Sequence, residues 1–504
     1  MHKGLVGAMV CALGVFITGC SDECVDPFDC RNDKGFPPEG QEWLCNSDNK
    51  CVLSPIDTTP LPTEPDAGEE DGGVEDAGTE DSGTVEDGGT TEDAGTTDGG
   101  TGTGSGVKGS ACTASSDCAA GLRCEGSPTT CQALQLVVTI RADDAGTTQA
   151  SVARYDVAGY TALSEGTADS RYPRWGPGGA RVSFAQGAVD TSSSKVAGDL
   201  TVRDIPLVAG QAVVLADGGT GNTESFRSME WAPSQDIAWV RQHGSSRSGI
   251  SVVPSAGGQV VEATTNGAFP DWAPDGTTFV YNITGMGLFT SSLGGSPAPI
   301  ANSPTSAEQA HYNGVNTQLL FLANPDGATV QFAGDSGLTP LFRVYSLDVT
   351  SGGQPQLVAD LSSEASTDGT IASYIASPNW SPDGRWAAYV RAYYFKPTSG
   401  GAVLCGAGTS PCQDRAGQVV FLRAIDPASG APTGDEVRLA EGGTLPSISP
   451  DGQFVAFVKG GQLNVQQFDP TSGAAVGAAI VHPKNGFTVQ TSDADDHRPR
   501  WQPR

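Results

Sequence analysis

Short runs of β-branched and aromatic residues alternate with turn sequences throughout residues 134–504. Runs such as Phe279-Val280-Tyr281 and Phe454-Val455-Ala456-Phe457 suit strands, because successive side chains of a strand point to opposite faces and one face can be buried. Gly-, Pro-, Asn- and Asp-containing turns separate the runs, and we find no convincing amphipathic helix. The pattern predicts an all-β region, and its length favours radial repetition of small sheets over one sandwich.

One motif recurs along this region and is best preserved in PNWSPDGRWAAYV, Pro378 to Val390. The other copies are less regular, and one truncated copy lies near residue 501. The motif tryptophans are Trp175, Trp231, Trp272, Trp380 and Trp501, with Ile448 at this place in one copy and Asn313 near it in a degenerate one.

The Pro-Asp-Gly part of the motif is a turn sequence. Proline fixes φ, aspartate caps the turn, and glycine accepts a positive φ. We therefore expect Asp275, Asp383 and Asp451 to be turn residues rather than catalytic groups.

The W-[SA]-P-D-G pattern resembles the repeat of TolB-like β-propellers over most of residues 134–504. The resemblance implies a β-propeller in which the tryptophan and the turn pack blade against blade, and it implies no catalysis. TolB itself has an α/β domain ahead of its propeller, where this chain has cysteine-rich and acidic segments. For this reason we carry over no partner-binding residue. We expect seven blades, or six if the copy at Asn313 is not a blade.

The two ends of the region complement each other. Residues 134–174 hold strand candidates without a preceding motif, whereas few residues follow the motif at Trp501. Pairing of the terminal strand with the first ones would close the ring and remove both sheet edges.

The N-terminal residues predict a targeting segment. A lone Lys3 precedes an apolar run from Leu5 to Ile17, which is too short for a stable bilayer span. Ile17-Thr18-Gly19-Cys20 resembles the lipobox of bacterial lipoproteins, which implies a signal peptide over 1–19 and acylation of Cys20. Ser21 resembles the outer-membrane sorting pattern. An ordinary cleaved signal is the alternative.

Cysteines outside the leader and the lipidation site fall into even-numbered clusters. This parity predicts disulfides in an oxidising compartment, with the pairing inside each cluster left open. Residues 20–52 and 111–132 share the spacing C-x4-D-C and are predicted to be two versions of one small disulfide-held module. The disulfide cysteines are Cys24, Cys30, Cys45, Cys51, Cys112, Cys118, Cys124, Cys131, Cys405 and Cys412.

Residues 53–110 form an acidic linker rich in Gly and Thr. Between Ile56 and Val107 there are fifteen Asp or Glu and no Lys, Arg or His, half of the chain's formal net charge of −30. Like charge and low hydrophobicity predict disorder and a tethering role. The acidic balance argues against nucleic-acid binding, and we expect membrane contact through the lipid anchor alone.

Sequence motifs for catalysis are missing: there is no G-x-S-x-G, H-E-x-x-H, P-loop or dinucleotide fingerprint. We expect no cofactor and no metal. The metal alternative is a cluster just before the last motif, consisting of Asp493, Asp495, Asp496 and His497. An aromatic insertion, Tyr393, Tyr394 and Phe395, precedes a loop that Cys405 and Cys412 would close, and it could contact a partner or extend a strand.

These features together predict a cell-envelope lipoprotein whose propeller binds or scaffolds an envelope protein or peptide. The sorting residue Ser21 favours the outer membrane. The alternatives are a propeller hydrolase or lyase with a metal near Asp495 and His497, and a Tol-like role in envelope integrity.

Overall fold

The computed structural model describes residues 41–45, 50–55, 104–142, 146–157, 159–190, 195–218, 225–243, 246–315, 317–333, 337–361, 371–397, 400–406, 412, 416–491 and 497–504. The chain divides into two compact units, Met1–Asp98 and Gly99–Arg504. The predicted leader, Cys20 and most of the acidic linker lie outside the described residues. Within the described ranges, no helix has the length and apolar character needed to cross a bilayer.

The described part of the first unit is a hairpin of β1 (Gln41–Cys45) and β2 (Cys51–Pro55). The strands are antiparallel, and Cys45 lies opposite Cys51. Cys24 and Cys30 of the same predicted module lie outside the described residues.

The second unit begins with the other cysteine module, residues 104–133. It contains a 3-10 turn, Ser115–Asp117, and a hairpin of β3 (Leu122–Glu125) and β4 (Thr130–Ala133). Cys124 lies opposite Cys131 in this hairpin, as Cys45 lies opposite Cys51 in the first one. The two hairpins therefore pair their cysteines in the same register.

Disulfides join Cys112 to Cys124, Cys118 to Cys131 and Cys405 to Cys412. The disulfide prediction is confirmed for these six cysteines, and the pairing within the second module is first to third and second to fourth.

Residues 134–504 consist of short antiparallel strands. In chain order they are β5 (Gln135–Ala142), β6 (Thr148–Arg154), β7 (Thr161–Ala162), β8 (Asp169–Trp175), β9 (Arg181–Asp190), β10 (Lys195–Asp204), β11 (Val213–Ala216), β12 (Ser225–Trp231), β13 (Asp236–His243), β14 (Ser246–Pro254), β15 (Val261–Thr264), β16 (Ala268–Trp272), β17 (Thr278–Ile283), β18 (Gly287–Ser292), β19 (Ala298–Pro299), β20 (Glu308–Tyr312), β21 (Gln318–Ala323), β22 (Thr329–Val330), β23 (Thr339–Pro340), β24 (Arg343–Asp348), β25 (Gln356–Ala359), β26 (Ile371–Trp380), β27 (Trp386–Phe395), β28 (Val403–Leu404), β29 (Gln418–Ile425), β30 (Pro432–Glu441), β31 (Gly443–Ile448), β32 (Phe454–Lys459), β33 (Gln462–Phe468), β34 (Ala475–Val481), β35 (Phe487–Val489) and β36 (Arg500–Trp501).

These strands form five separate sheets of four or five strands and one sheet of eight. The eight-stranded sheet contains β8 to β11 and β12 to β15, which are joined where Val196 and Ala197 of β10 pair with Phe226 and Ser225 of β12. Two small insertions, the hairpin of β22 and β23 and the short strand β28, lie outside the main order.

The sheets follow one another around a ring. The first strand of each group, taken in the order β8, β12, β16, β20, β26, β31 and β36, contacts the next, and β36 in turn contacts β8. Small antiparallel sheets that surround a common axis in this way form a β-propeller. The all-β prediction is confirmed, and the domain is a β-propeller.

The two ends of the domain pair to close the ring. In β36, Arg500 lies opposite Val137 and Trp501 opposite Leu136 of β5, and β35 pairs with the other end of the same strand. This is the closure that the truncated last motif predicts. Apolar side chains of β5 and of the sheet β31 to β34 share one core here, which includes Leu136, Leu445 and Trp501.

Candidate functional site

The motif aspartates cap turns, as the sequence predicts. Gly384 has a φ of 71° and donates its N–H to the carbonyl of Ser381 at 2.9 Å, while Asp383 Oδ1 accepts from the backbone N–H of Arg385 at 3.1 Å. Asp275 accepts the Thr277 N–H in the same way at 2.8 Å. Asp451 has a further contact, because its Oδ2 accepts the backbone N–H of Gly121 in the second cysteine module.

The motif tryptophans lie between neighbouring sheets. Trp380 Nε1 donates to the carbonyl of His311 at 3.1 Å, and Trp501 Nε1 donates to the carbonyl of Ser447 at 2.9 Å. Each indole thus reaches the first strand of the preceding sheet and satisfies its donor there. Trp272 makes the corresponding bond to the carbonyl of Glu230 at 3.3 Å, whereas Trp231 donates to Ser183 Oγ at 2.7 Å.

The degenerate copy of the motif has tyrosine, not asparagine, at the tryptophan position. Tyr312 lies opposite Leu319 as Trp272 lies opposite Phe279, whereas the Asn313 N–H donates to the carbonyl of Gln318 in the turn. Asn313 thus lies one residue after the tryptophan position, near it as the sequence predicts. Tyr312 supplies the aromatic ring of this copy.

A ring of polar side chains stands one residue before each tryptophan position. We call it the channel ring. Its members occupy the same register in the first strand of each group, next to the common axis. They are Arg174, Glu230, Asp271, His311, Asn379, Ser447 and Arg500.

A β-bulge precedes each of the first six ring residues. The register shifts there, and the residue two positions before the ring residue has a positive φ of 50° to 60° although it is not glycine. Bulky side chains avoid this conformation unless the surrounding structure imposes it. A bulge bends the strand and changes the direction of the residues that follow. The strained residues are Tyr172, Ser228, Phe269, Gln309, Ser377 and Leu445.

Two arginines of the channel ring share one carboxylate. Glu230 Oε1 lies 3.1 Å from Arg174 Nε and 3.0 Å from Arg500 Nη2. The Arg174 side chain is 3 % exposed, so this ion network is largely shielded from solvent. Removal of one member would leave a buried charge poorly compensated.

Next to Glu230 in the channel ring, Asp271 faces His311. Its Oδ2 is 3.8 Å from His311 Nδ1 and accepts the backbone N–H of Tyr312 at 2.7 Å. Burial raises the pKa of Asp271 to about 7; the charge of Glu230 adds to this rise, while His311 and Arg500 oppose it. Asp271 is therefore the ring carboxyl that changes charge near neutral pH.

A cavity of about 470 Å³ opens beside the channel ring on the side of the motif turns. We call it the axial cavity. Residues from five of the strand groups line it, so it exists only because the ring is closed. The lining consists of Arg174, Trp175, Glu230, Asn379, Trp380, Pro382, Ser447, Ile448, Pro450, Arg500, Trp501, Pro503 and Arg504.

The second cysteine module is fixed to the propeller next to this cavity. Arg504 Nη2 donates to the carbonyls of Ser115 and Cys118 at 2.6 and 2.8 Å. Arg123 of the module in turn donates to the carbonyls of Pro503 and Gly178. The module therefore bridges the turn between β8 and β9 and the residues that follow β36, a role that a simple spacer would not have.

The aromatic insertion is mostly interior. Tyr393 is fully buried and Tyr394 is 2 % exposed, and both belong to β27. The ring of Tyr394 meets Phe332 edge-on at 5.5 Å, and Phe395 packs partly buried against the same core as Tyr393. This placement in β27 agrees with the interpretation of the stretch as a strand extension. A contact through these two rings would require their removal from the core.

Most of the candidate metal cluster lies outside the described residues. Asp493, Asp495 and Asp496 lie outside the described residues, and His497 is 1 % exposed with its ring 4.9 Å from that of Tyr172. His482 is also buried, and burial lowers its pKa. A second cavity of about 500 Å³ is lined by Val330, Gln331, Phe332, Ala333, Lys396, Pro397, Gly400, Gly401 and Ala402, and none of these residues lines the axial cavity.

No family model and no curated protein matches this chain. Solved structures do. TolB from Acinetobacter baumannii is 14 % identical, with 73 % of this chain and 67 % of that chain covered and a TM-score of 0.38. A periplasmic gluconolactonase from Pseudomonas aeruginosa is 14 % identical over 73 % of this chain and 99 % of that chain, with a TM-score of 0.41. A puromycin-hydrolysing peptidase from Mycobacterium tuberculosis is 16 % identical over 68 % of this chain and 52 % of that chain, with a TM-score of 0.43.

The lining of the axial cavity offers few reactive groups. It contains one hydroxyl, on Ser447, and one carboxylate, on Glu230, which is paired with Arg174 and Arg500. Sequence reasoning did not find this site. The signal was present, since the residue before the tryptophan position is polar in every copy of the motif.

Proposed function

We propose that this protein is a cell-envelope lipoprotein whose β-propeller binds a partner protein or peptide through the axial cavity. The observation that carries the proposal is the cavity itself. It is preformed, combines charged groups with an aromatic wall, and draws its lining from first strands around the ring. Sites with a few oriented polar groups among apolar side chains are typical of ligand recognition.

Disulfides support the envelope location. Three of them are present in the described residues, and disulfides persist in oxidising compartments rather than in the cytosol. We propose that Cys20 carries the lipid, that residues 53–110 tether the propeller to the membrane, and that Ser21 directs it to the outer membrane.

We further propose that the propeller has seven blades. The eight-stranded sheet divides into two four-stranded halves, β8 to β11 and β12 to β15, each beginning with its own motif strand. Counted this way, each motif strand begins one blade, and the closing blade takes its first strand from β36 and the others from β5 to β7.

A photo-crosslinker tests the binding role. Pro382 is exposed, lines the axial cavity and belongs to the best-preserved motif turn. We expect a crosslinking amino acid at this position to capture one identifiable envelope protein in intact cells. The matched position is Leu293, which is 43 % exposed and does not line the cavity. Identical products from both positions would count against the axial cavity as the binding site.

Metabolic labelling with an alkyne fatty acid tests the anchor. Replacement of Cys20 by serine removes the thiol that would be acylated, so we expect loss of the label and release of the protein from washed membranes. Cys11→Ser is the control, because Cys11 lies within the predicted signal peptide and its loss should leave the label unchanged. Full labelling of the Cys20→Ser variant would exclude the lipoprotein assignment.

A further inference from the structure

The axial cavity is positively charged in a strongly acidic protein. Its lining contains three guanidinium groups, those of Arg174, Arg500 and Arg504, and one carboxylate, that of Glu230. The lining therefore has an excess of two positive charges, whereas the whole chain has a formal net charge of −30. Charge of one sign in a concave site raises the local concentration of ligands of the opposite sign.

Arg504 has the least compensated charge of the three. Arg174 and Arg500 both pair with Glu230, but the described contacts of Arg504 are the backbone carbonyls of Ser115 and Cys118. Its Nε and Nη1 have no protein acceptor among the described residues. Burial lowers the pKa of Arg504, and the charge of Asp451 acts in the opposite sense. An anion in the axial cavity would offset the uncompensated charge of Arg504.

The rest of the wall is apolar. Trp175, Trp380 and Trp501 line the cavity together with Ile448. The indole donors of Trp380 and Trp501 are already bonded to backbone carbonyls, so their rings offer mainly apolar and π surface. A ligand that fits this lining has an anionic group beside an apolar one.

We propose that the axial cavity binds an acidic peptide segment, with a carboxylate at Arg504 and Arg500 and the neighbouring apolar side chain against the tryptophans. This proposal rests on the proposed binding function of the same cavity. Glu230 weakens binding of the acidic segment, since its carboxylate competes with the ligand for the guanidinium groups of Arg174 and Arg500.

Calorimetric titration of the full mature protein tests the proposal. The probes are the blocked dipeptide acetyl-Leu-Glu-amide, its neutral partner acetyl-Leu-Gln-amide, and inorganic phosphate. We expect the glutamate peptide to bind about tenfold more tightly than the glutamine peptide and to weaken as salt is added. Equal binding of the two peptides would overturn the proposal. Phosphate binding as tight as that of the glutamate peptide would overturn the assignment of a carboxylate.

Two variants should change the affinity in opposite directions. Arg504→Gln removes one positive charge, and we expect binding about tenfold weaker; Glu230→Gln removes the competing carboxylate, and we expect binding several-fold tighter. A merely structural role of Glu230 predicts weaker binding instead, so a lower affinity of Glu230→Gln for the glutamate peptide would contradict the proposal. Arg385→Gln is the control, since that side chain is 64 % exposed, and its affinity should match the wild type. Thermal unfolding of each variant checks that the fold is retained.

The peptide titration and the crosslinking experiment test separate claims, so either claim can be contradicted without the other. A crosslinked partner without preference for the glutamate peptide would leave the binding function in place and remove the charge-based specificity. Selective binding of the glutamate peptide without a crosslinked protein would retain the anion site and remove the protein partner.

Discussion

Replacement of Trp380 by alanine should lower the free energy of unfolding by about 3–5 kcal/mol. The indole is 5 % exposed, packs in the core between neighbouring sheets, and donates Nε1–H to the carbonyl of His311. The variant loses this apolar contact, leaves a cavity between two sheets, and deprives a buried carbonyl of its donor. Urea denaturation followed by far-ultraviolet circular dichroism measures the change.

Two further variants separate packing from hydrogen bonding at this position. Trp380→Phe keeps a ring but loses the donor, so we expect a loss of about 1–3 kcal/mol. Arg385→Ala, in the same turn, changes a largely exposed side chain and should alter stability by no more than about 0.5 kcal/mol. If Trp380→Ala were as stable as Arg385→Ala, the motif tryptophan would not hold neighbouring sheets together.

Replacement of Asp271 by asparagine should stabilise the protein above neutral pH and flatten its pH dependence. Asp271 has a folded-state pKa of about 7 against an ordinary value of 3.8, because burial disfavours its charge. Between these values the folded protein keeps a proton that the unfolded chain releases, so stability falls as the pH rises. The destabilisation caused by Asp271 reaches its full size above about pH 7 and is absent below the ordinary pKa. With solvent access from the channel taken into account, we expect a gain of about 1–3 kcal/mol near pH 8 and little change near pH 4.

Asp275 provides a control of opposite sign. It is exposed in the next turn of the chain, and backbone N–H groups, led by that of Thr277, lower its pKa. A carboxyl group with a lowered pKa stabilises the fold at pH values above its ordinary pKa, and this contribution disappears as the pH falls. Asp275→Asn should therefore be slightly less stable than the wild type at neutral pH. Denaturation curves of both variants across this pH range test the pair. A stability loss in Asp271→Asn near pH 8 would show that the charged form of Asp271 supports the fold.

The repeat could be predicted because its signals are local. The Pro-Asp-Gly turns and the short apolar runs depend on neighbouring residues alone. The truncated motif at Trp501 predicted that the last strand pairs with strand candidates in residues 134–174, and Trp501 does lie opposite Leu136. The degenerate copy could be located only approximately, near Asn313. Sequence letters near Asn313 do not show the bulge that puts Tyr312 opposite Leu319.

The sequence alone determined the all-β class and the parity of the disulfide cysteines, because periodicity, turn chemistry and cysteine number act over short distances. The resemblance of the W-[SA]-P-D-G repeat to TolB-like propellers implied the propeller, and the truncated last motif indicated how its ends pair. Tertiary structure decided the rest. It brought Arg174, Glu230 and Arg500 to one axis from positions far apart in the chain, placed Arg504 against Cys118, and buried Tyr393 and Tyr394. Closure of the ring sets these proximities, because residues far apart in the chain meet only when the sheets surround a common axis.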